Sequence, residues 1–177
     1  MGEDFLVRLS NFLDNINEWA GRIFSWLVVP LAVVIIIEFI TRALNVPTIW
    51  TFESSNFIFG AHFMLVAGYG LLYGSHVRID LFTSRLSQKT QAVISIICYL
   101  ILFFPFMLVW LYYGWGYFYT SWSTLEKSVV SVWGPSLYPI KFVIPLSAIF
   151  LILQGFSEVI KSVVTINILS ELSEEFE

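Results

Sequence analysis

His62, His76, Cys98 and Glu38 are the side chains in this chain whose chemistry, if brought together, could define an activity. The two histidines are the only pair with haem-ligand potential, and they stand fourteen residues apart. On one helix that spacing is about 21 Å of rise, too far to share an iron, so a bis-histidine cytochrome built from this chain alone is excluded. Cys98 is the single cysteine. It permits no intramolecular disulfide, zinc cluster or dithiol redox pair, and inside an apolar stretch it is expected to be a small buried helix residue. The sequence offers no glycine-rich phosphate loop, no metal-ligand spacing and no nucleophile with a base beside it. The expectation is therefore a protein that is not an enzyme and holds no metal or cofactor of its own.

Glu38 and Arg42 lie four residues apart on one helix face, where opposite charges pair. Two charges within an apolar stretch are costly to leave against lipid, so they face protein or snorkel together toward headgroups. A proton carrier would need an unpaired carboxylate near the bilayer midplane, and Glu38 has Arg42 one turn away. His62 sits within an apolar stretch, where an ionisable residue is a functional candidate by default; a neighbouring hydroxyl or carbonyl would satisfy it equally well. His76 and Asp80, with Arg78 between them, form a cluster suited to lipid or a partner rather than to catalysis.

These groups are carried on membrane helices. The chain has 177 residues, 58% hydrophobic and only 12% charged, whereas globular domains carry about 25% charged residues. Four apolar stretches, at about 22–44, 53–74, 90–119 and 139–164, each reach the roughly 20 residues that cross a bilayer core. Backbone amides in hydrocarbon must bond internally, so these stretches are helices. The fold class expected is an all-α integral membrane protein, four transmembrane helices preceded by a short amphipathic N-terminal helix. Little chain is left over for a soluble domain. The net charge of -4 says little about partners, because the acids cluster at the two ends, and no nucleic-acid partner is expected. Glu3 and Asp4 stand where a signal peptide would be basic, and no small-residue cleavage site follows, so the first span is expected to be retained.

Residues 1–21 form the amphipathic segment. Phe5, Leu6, Leu9, Phe12, Leu13 and Ile16 recur at helical steps opposite Asp4, Arg8, Asn11, Asn15 and Glu18, a pattern that can lie in the membrane interface. Residues 22–164 are the four-span domain. Pro30 is placed to bend the first span. The second carries Gly60, Ala67, Gly70 and Gly74 on one stripe, and the Gly70-to-Gly74 spacing would let another helix approach closely. The third ends in an aromatic block, Trp110 to Tyr119, at headgroup level. Residues 120–138 form the longest connection and hold Trp122, Glu126, Lys127 and Trp133. Residues 165–177 are an acidic tail. Arg8, Arg22, Arg78, Arg85, Lys89 and Lys161 fall at one end of the spans, against Arg42, Lys127 and Lys141 at the other. That bias puts both termini and the tail in the cytoplasm and the long loop outside.

Several motifs then line up in order. His76-Val77-Arg78-Ile79-Asp80 follows the second span, Arg42 ends the first, and Glu53 opens the second. Ser121-Trp122, Glu126-Lys127-Ser128, Tyr138-Pro139-Ile140-Lys141 and Leu153-Gln154-Gly155 follow. In these the chain resembles the small membrane subunit (the Q, or DctQ-type, subunit) of tripartite ATP-independent periplasmic (TRAP) transporters, over nearly its whole length. It departs from the pattern at Ala43, where many members have tyrosine, and at Phe52, where many have a second acid beside Glu53.

The resemblance implies a multi-pass protein of the bacterial or archaeal cytoplasmic membrane. It implies a periplasmic solute-binding protein that delivers a small organic solute, a carboxylate by expectation, and a large membrane subunit that moves it by symport. Sodium ions would bind that large subunit, and this chain would brace it in the lipid. Glu38, Arg42, Glu53, His62, Gly70, Gly74, His76, Arg78 and Asp80 become structural or partner candidates. Trp122, Glu126, Lys127 and Trp133 become candidates for docking the binding protein. The alternatives are a small proton-coupled exporter using Glu38 and the membrane anchor of another complex.

Overall fold

The computed structural model describes residues 2–46, 48–74 and 86–175. His76, Arg78, Asp80 and Arg85 lie outside the described residues. Helix α1 spans Gly2–Ser25 and α2 spans Val28–Ala43. The second span is α3, Thr51–Leu65, followed by α4, Ala67–Leu72. The third is α5, Gln88–Cys98, a π-turn at Tyr99–Phe103, and α6, Phe104–Ser123. The last is α7, Tyr138–Glu175. Among the described residues, four helical runs are long and apolar enough to cross a membrane, in line with the composition.

Two of the interruptions follow from proline. The ring of Pro30 stands against the carbonyl four residues back, that of Trp26. At Trp26 and Leu27 the backbone turns by three-residue hydrogen bonds, Trp26 N–H to the Ile23 carbonyl and Leu27 N–H to that of Phe24, both at 3.1 Å. Pro105 cannot donate to Ile101, and the preceding turn widens so that Phe104 N–H reaches the carbonyl of Tyr99, five residues back. The break at Val66 has no proline near it.

Helices α2 and α6 end alike. Val46 N–H bonds the Thr41 carbonyl and Asn45 N–H that of Arg42, while Glu126 N–H bonds Ser121 and Leu125 N–H bonds Trp122. Both are Schellman ends, which require a left-handed residue. Asn45, at φ 58°, supplies it cheaply; Leu125, at φ 47°, pays a penalty of about 1–2 kcal/mol.

Helix α7 is the hub. Helices α1, α3, α4, α5 and α6 all pack on it, whereas α2 leans chiefly on α3. The close approaches are at glycines: a Cβ on Gly114 would lie 2.9 Å from Ile144 Cγ2 beside Pro145 of α7. The interior is inverted relative to a soluble protein. Ser10, Asn17, Thr51, Gln154 and Ser157 are buried, while Phe39, Phe63, Ile101 and Tyr112 face outward. Small and polar residues at helix contacts with apolar residues outside is the arrangement lipid selects. Cys98 is exposed on this outer surface, not buried as expected, because the helix face that carries it turns away from α7. The acidic end is helical as far as Glu175.

Candidate functional site

The polar side chains gather at the two ends of the helices. At the end that carries residues 124–137, Glu38 accepts from Arg42 Nε at 2.5 Å and Thr48 Oγ1 at 3.1 Å, and from Thr51 Oγ1. The carboxylate thereby ties the end of α2 to the start of α3. Arg42 remains mostly exposed.

Glu53, in the first turn of α3, is 3% exposed. Its carboxylate accepts from Ser128 Oγ, and from Ser131 Oγ at 2.9 Å. Ser128 Oγ in turn accepts from Val130 N–H at 3.2 Å. The loop is closed by Ser128 N–H to the Pro135 carbonyl at 2.8 Å and Leu137 N–H to that of Glu126 at 3.0 Å. It is a short hairpin folded down onto a membrane helix. An acid near a helix N-terminus is also favoured by the helix dipole.

Lys141, buried in the first turn of α7, bonds Glu126 at 2.5 Å and stands 3.9 Å from the centre of the Tyr117 ring. The Lys141 hydrogen bond holds the Glu126 carboxyl below its ordinary range. Of the two charges expected to meet a binding protein, Glu126 is engaged within the chain and Lys127 is exposed. Trp122 packs edge-on against Tyr138, centroids 5.0 Å apart, and Trp133 stays about half exposed.

At the opposite end, Asp14 of α1 accepts from Gln154 Nε2 at 2.9 Å and Ser157 Oγ at 2.6 Å, and pairs with Lys161 at 2.8 Å. Lys161 also reaches Glu158 at 2.9 Å. Asn17 is wedged against Gly68, with no room for a side chain there. His62 lies between the ends, with Nδ1 3.1 Å from the Phe24 carbonyl, one of the groups at the helix break before Pro30. Donation by Nδ1–H would satisfy the ring nitrogen and give that carbonyl a second donor beside Leu27 N–H.

The glycine stripe is distributed differently from its spacing. Gly68, not on the stripe, makes the close contact within the chain. Gly74 takes φ +66° at the end of α4, and among the described residues no atom lies within 4 Å of a Cβ position there. Gly70 is partly exposed.

Sequence reasoning passed over the Asp14 cluster, although its signal is present. Gln154, Ser157, Glu158 and Lys161 share one face of α7 at i, i+3, i+4 and i+7, and Ser10, Asp14, Asn17 and Gly21 share one face of α1. That face is neither the apolar nor the charged side of the amphipathic pattern. The partners of Glu53 have no comparable signature, since they come from a loop.

None of these groups is arranged for bond-making chemistry. These carboxylates are matched by ammonium, guanidinium or hydroxyl groups, and the described residues hold no group of three or more His, Cys, Asp or Glu side chains placed to bind a metal ion. The surface groove between α6 and α7, about 1350 Å³, is walled by Leu108, Trp110, Tyr113, Trp115 and Ile149, a lining suited to hydrocarbon and not to a polar solute. The family model for tripartite ATP-independent periplasmic transporters, DctQ component, matches residues 31–165. No curated protein matches the chain.

Proposed function

This chain belongs to the DctQ family, the small membrane component of TRAP transporters, and from that premise we propose that it braces the large transport subunit in the bilayer. The reading places it in the cytoplasmic membrane of a bacterium or archaeon, serving binding-protein-dependent, ion-coupled uptake of a small organic acid. Sodium and solute would be bound by the large subunit.

The observation that carries the bracing role is the isolation of α2. It leans chiefly on α3, and Val34 is its buried residue. On the opposite side Val29, Val33, Ile36 and Ile40 are all exposed, at steps of four, three and four residues. That spacing suits a contact with another helix, and with Val28, Ile35 and Phe39 exposed too most of the circumference of α2 is open. Glu38, the carboxylate that an exporter would need free, is committed to Arg42, Thr48 and Thr51.

The experiment is reconstitution of this chain, the large subunit and the binding protein in proteoliposomes under a sodium gradient. Uptake should require all three, and a photo-crosslinker at Ile36 should capture the large subunit. Full uptake without this chain would overturn the reading. A Lys127→Glu variant titrated with binding protein tests docking at the loop, because rim charges act mainly on association rate.

A further inference from the structure

The loop between α6 and α7 is built inside-out. Ser128 and Ser131 turn inward onto buried Glu53, while Val129 is 97% and Val132 95% exposed, with Val130 and Leu125 also largely exposed. No charged residue occurs from Ser128 to Ile140. A loop bathed in water partitions the opposite way, since apolar surface is driven out of water.

Its depth is fixed by the same contact. Glu53 belongs to the first turn of a spanning helix, so the tip that it holds lies at the level where that span begins. Ile49 and Phe52, beside that turn, are exposed apolar residues, as are Tyr119 and Trp122 at the end of α6. The valine tip thus shares its level with exposed apolar residues at the ends of two spans. Trp133 and Lys127 flank it, the aromatic and long cationic types that sit at headgroup level.

We propose that residues 128–132 form a membrane-inserted anchor, with Val129, Val130 and Val132 dipping into the headgroup–acyl boundary of the leaflet at that end. The occupant is the bilayer itself. The inference rests on the chain's spanning a membrane and not on its bracing a partner.

The test uses the full chain with Cys98→Ser and an environment-sensitive fluorophore on Val129→Cys or on Val132→Cys, both exposed positions that leave the Glu53 contacts in place. The labelled chain is placed in phosphatidylcholine vesicles carrying a nitroxide at a shallow acyl position, alone and together with the large subunit. Insertion predicts blue-shifted emission and loss of intensity to the nitroxide lipid in both samples. Water-like, unquenched emission from the chain alone overturns the anchor. So does a blue shift that appears only with the large subunit, or only on adding the binding protein, since either would assign the tip to a protein surface. Unquenched label in the two-subunit complex overturns it for the assembled transporter.

Discussion

Ser131 donates to Glu53 across 2.9 Å although 78 residues separate them in the chain. With Ser128, it satisfies a carboxylate that would otherwise be buried bare at the start of a membrane helix. Replacing Glu53 with alanine strands two inward-facing hydroxyls and removes the tether of the loop. Leaving buried groups without partners costs about 1–3 kcal/mol, so Glu53→Ala should lower the melting temperature in detergent and open residues 124–137 to protease. Glu53→Gln, which can still accept, should fall between. Unchanged cleavage of the loop in Glu53→Ala would show that the contact does not hold it.

Glycine substitutions should separate by packing and not by their spacing in the sequence. A Cβ at Gly68 meets Asn17, whereas Gly116 has nothing within 4 Å. Gly68→Ala should destabilise by about 1–3 kcal/mol, the cost of overpacking, and Gly116→Ala should be neutral or slightly stabilising, since alanine is the better helix former. Thermal unfolding of the two variants decides it; equal shifts would mean that α1 and α4 are not in close contact.

Asp14 and Lys161 pin α1 to α7 at 2.8 Å. Asp14→Asn should cost about 1–2 kcal/mol, discounted from buried-pair values because Lys161 is one-third open to its surroundings. The double variant Asp14→Asn with Lys161→Gln should recover part of the loss. Additive losses in a double-mutant cycle would deny the coupling.

The Glu126–Lys141 pair gives a pH signature. Its carboxyl is held below the ordinary value by the hydrogen bond from Lys141. The folded state therefore favours the ionised form, and the pair stabilises fully above the ordinary carboxylate range. That contribution is lost as pH falls through the lowered value. The melting-temperature gap between wild type and Glu126→Gln should be constant from neutral pH down to the ordinary range and close in more acid solution. A gap that closes near neutrality would point to another group.

Orientation can be read chemically. With Cys98→Ser, a cysteine in place of exposed Lys127 should react with an impermeant thiol reagent in intact spheroplasts, and one in place of exposed Lys89 only after the membrane is opened. The reverse pattern would invert the topology drawn from the basic residues.

Much of the architecture was legible because lipid leaves so few choices. Runs of twenty apolar residues have to be helices, and Pro30 and Pro105 mark two of the interruptions. The pairing of Glu38 with Arg42 follows from helix geometry alone. The partners of Glu53 do not, because nothing local in SVVSVWGPS says that two of its serines turn toward a carboxylate 75 and 78 residues earlier. Cys98 misled for a related reason: in a membrane protein an apolar environment is not the same as an interior.

The position of α7 as the hub bears on how the protein is made. Synthesis runs from the N-terminus at about 5–20 residues per second. Asp14 lies 140 residues ahead of Gln154, so it waits about 7–28 s for that partner at such rates. Glu53 waits for Ser131 for about 4–16 s. Through that interval neither carboxylate has these native partners. The tether from Glu53 to the loop is therefore available before the last helix is made, and the tie from α1 to α7 only once that helix follows.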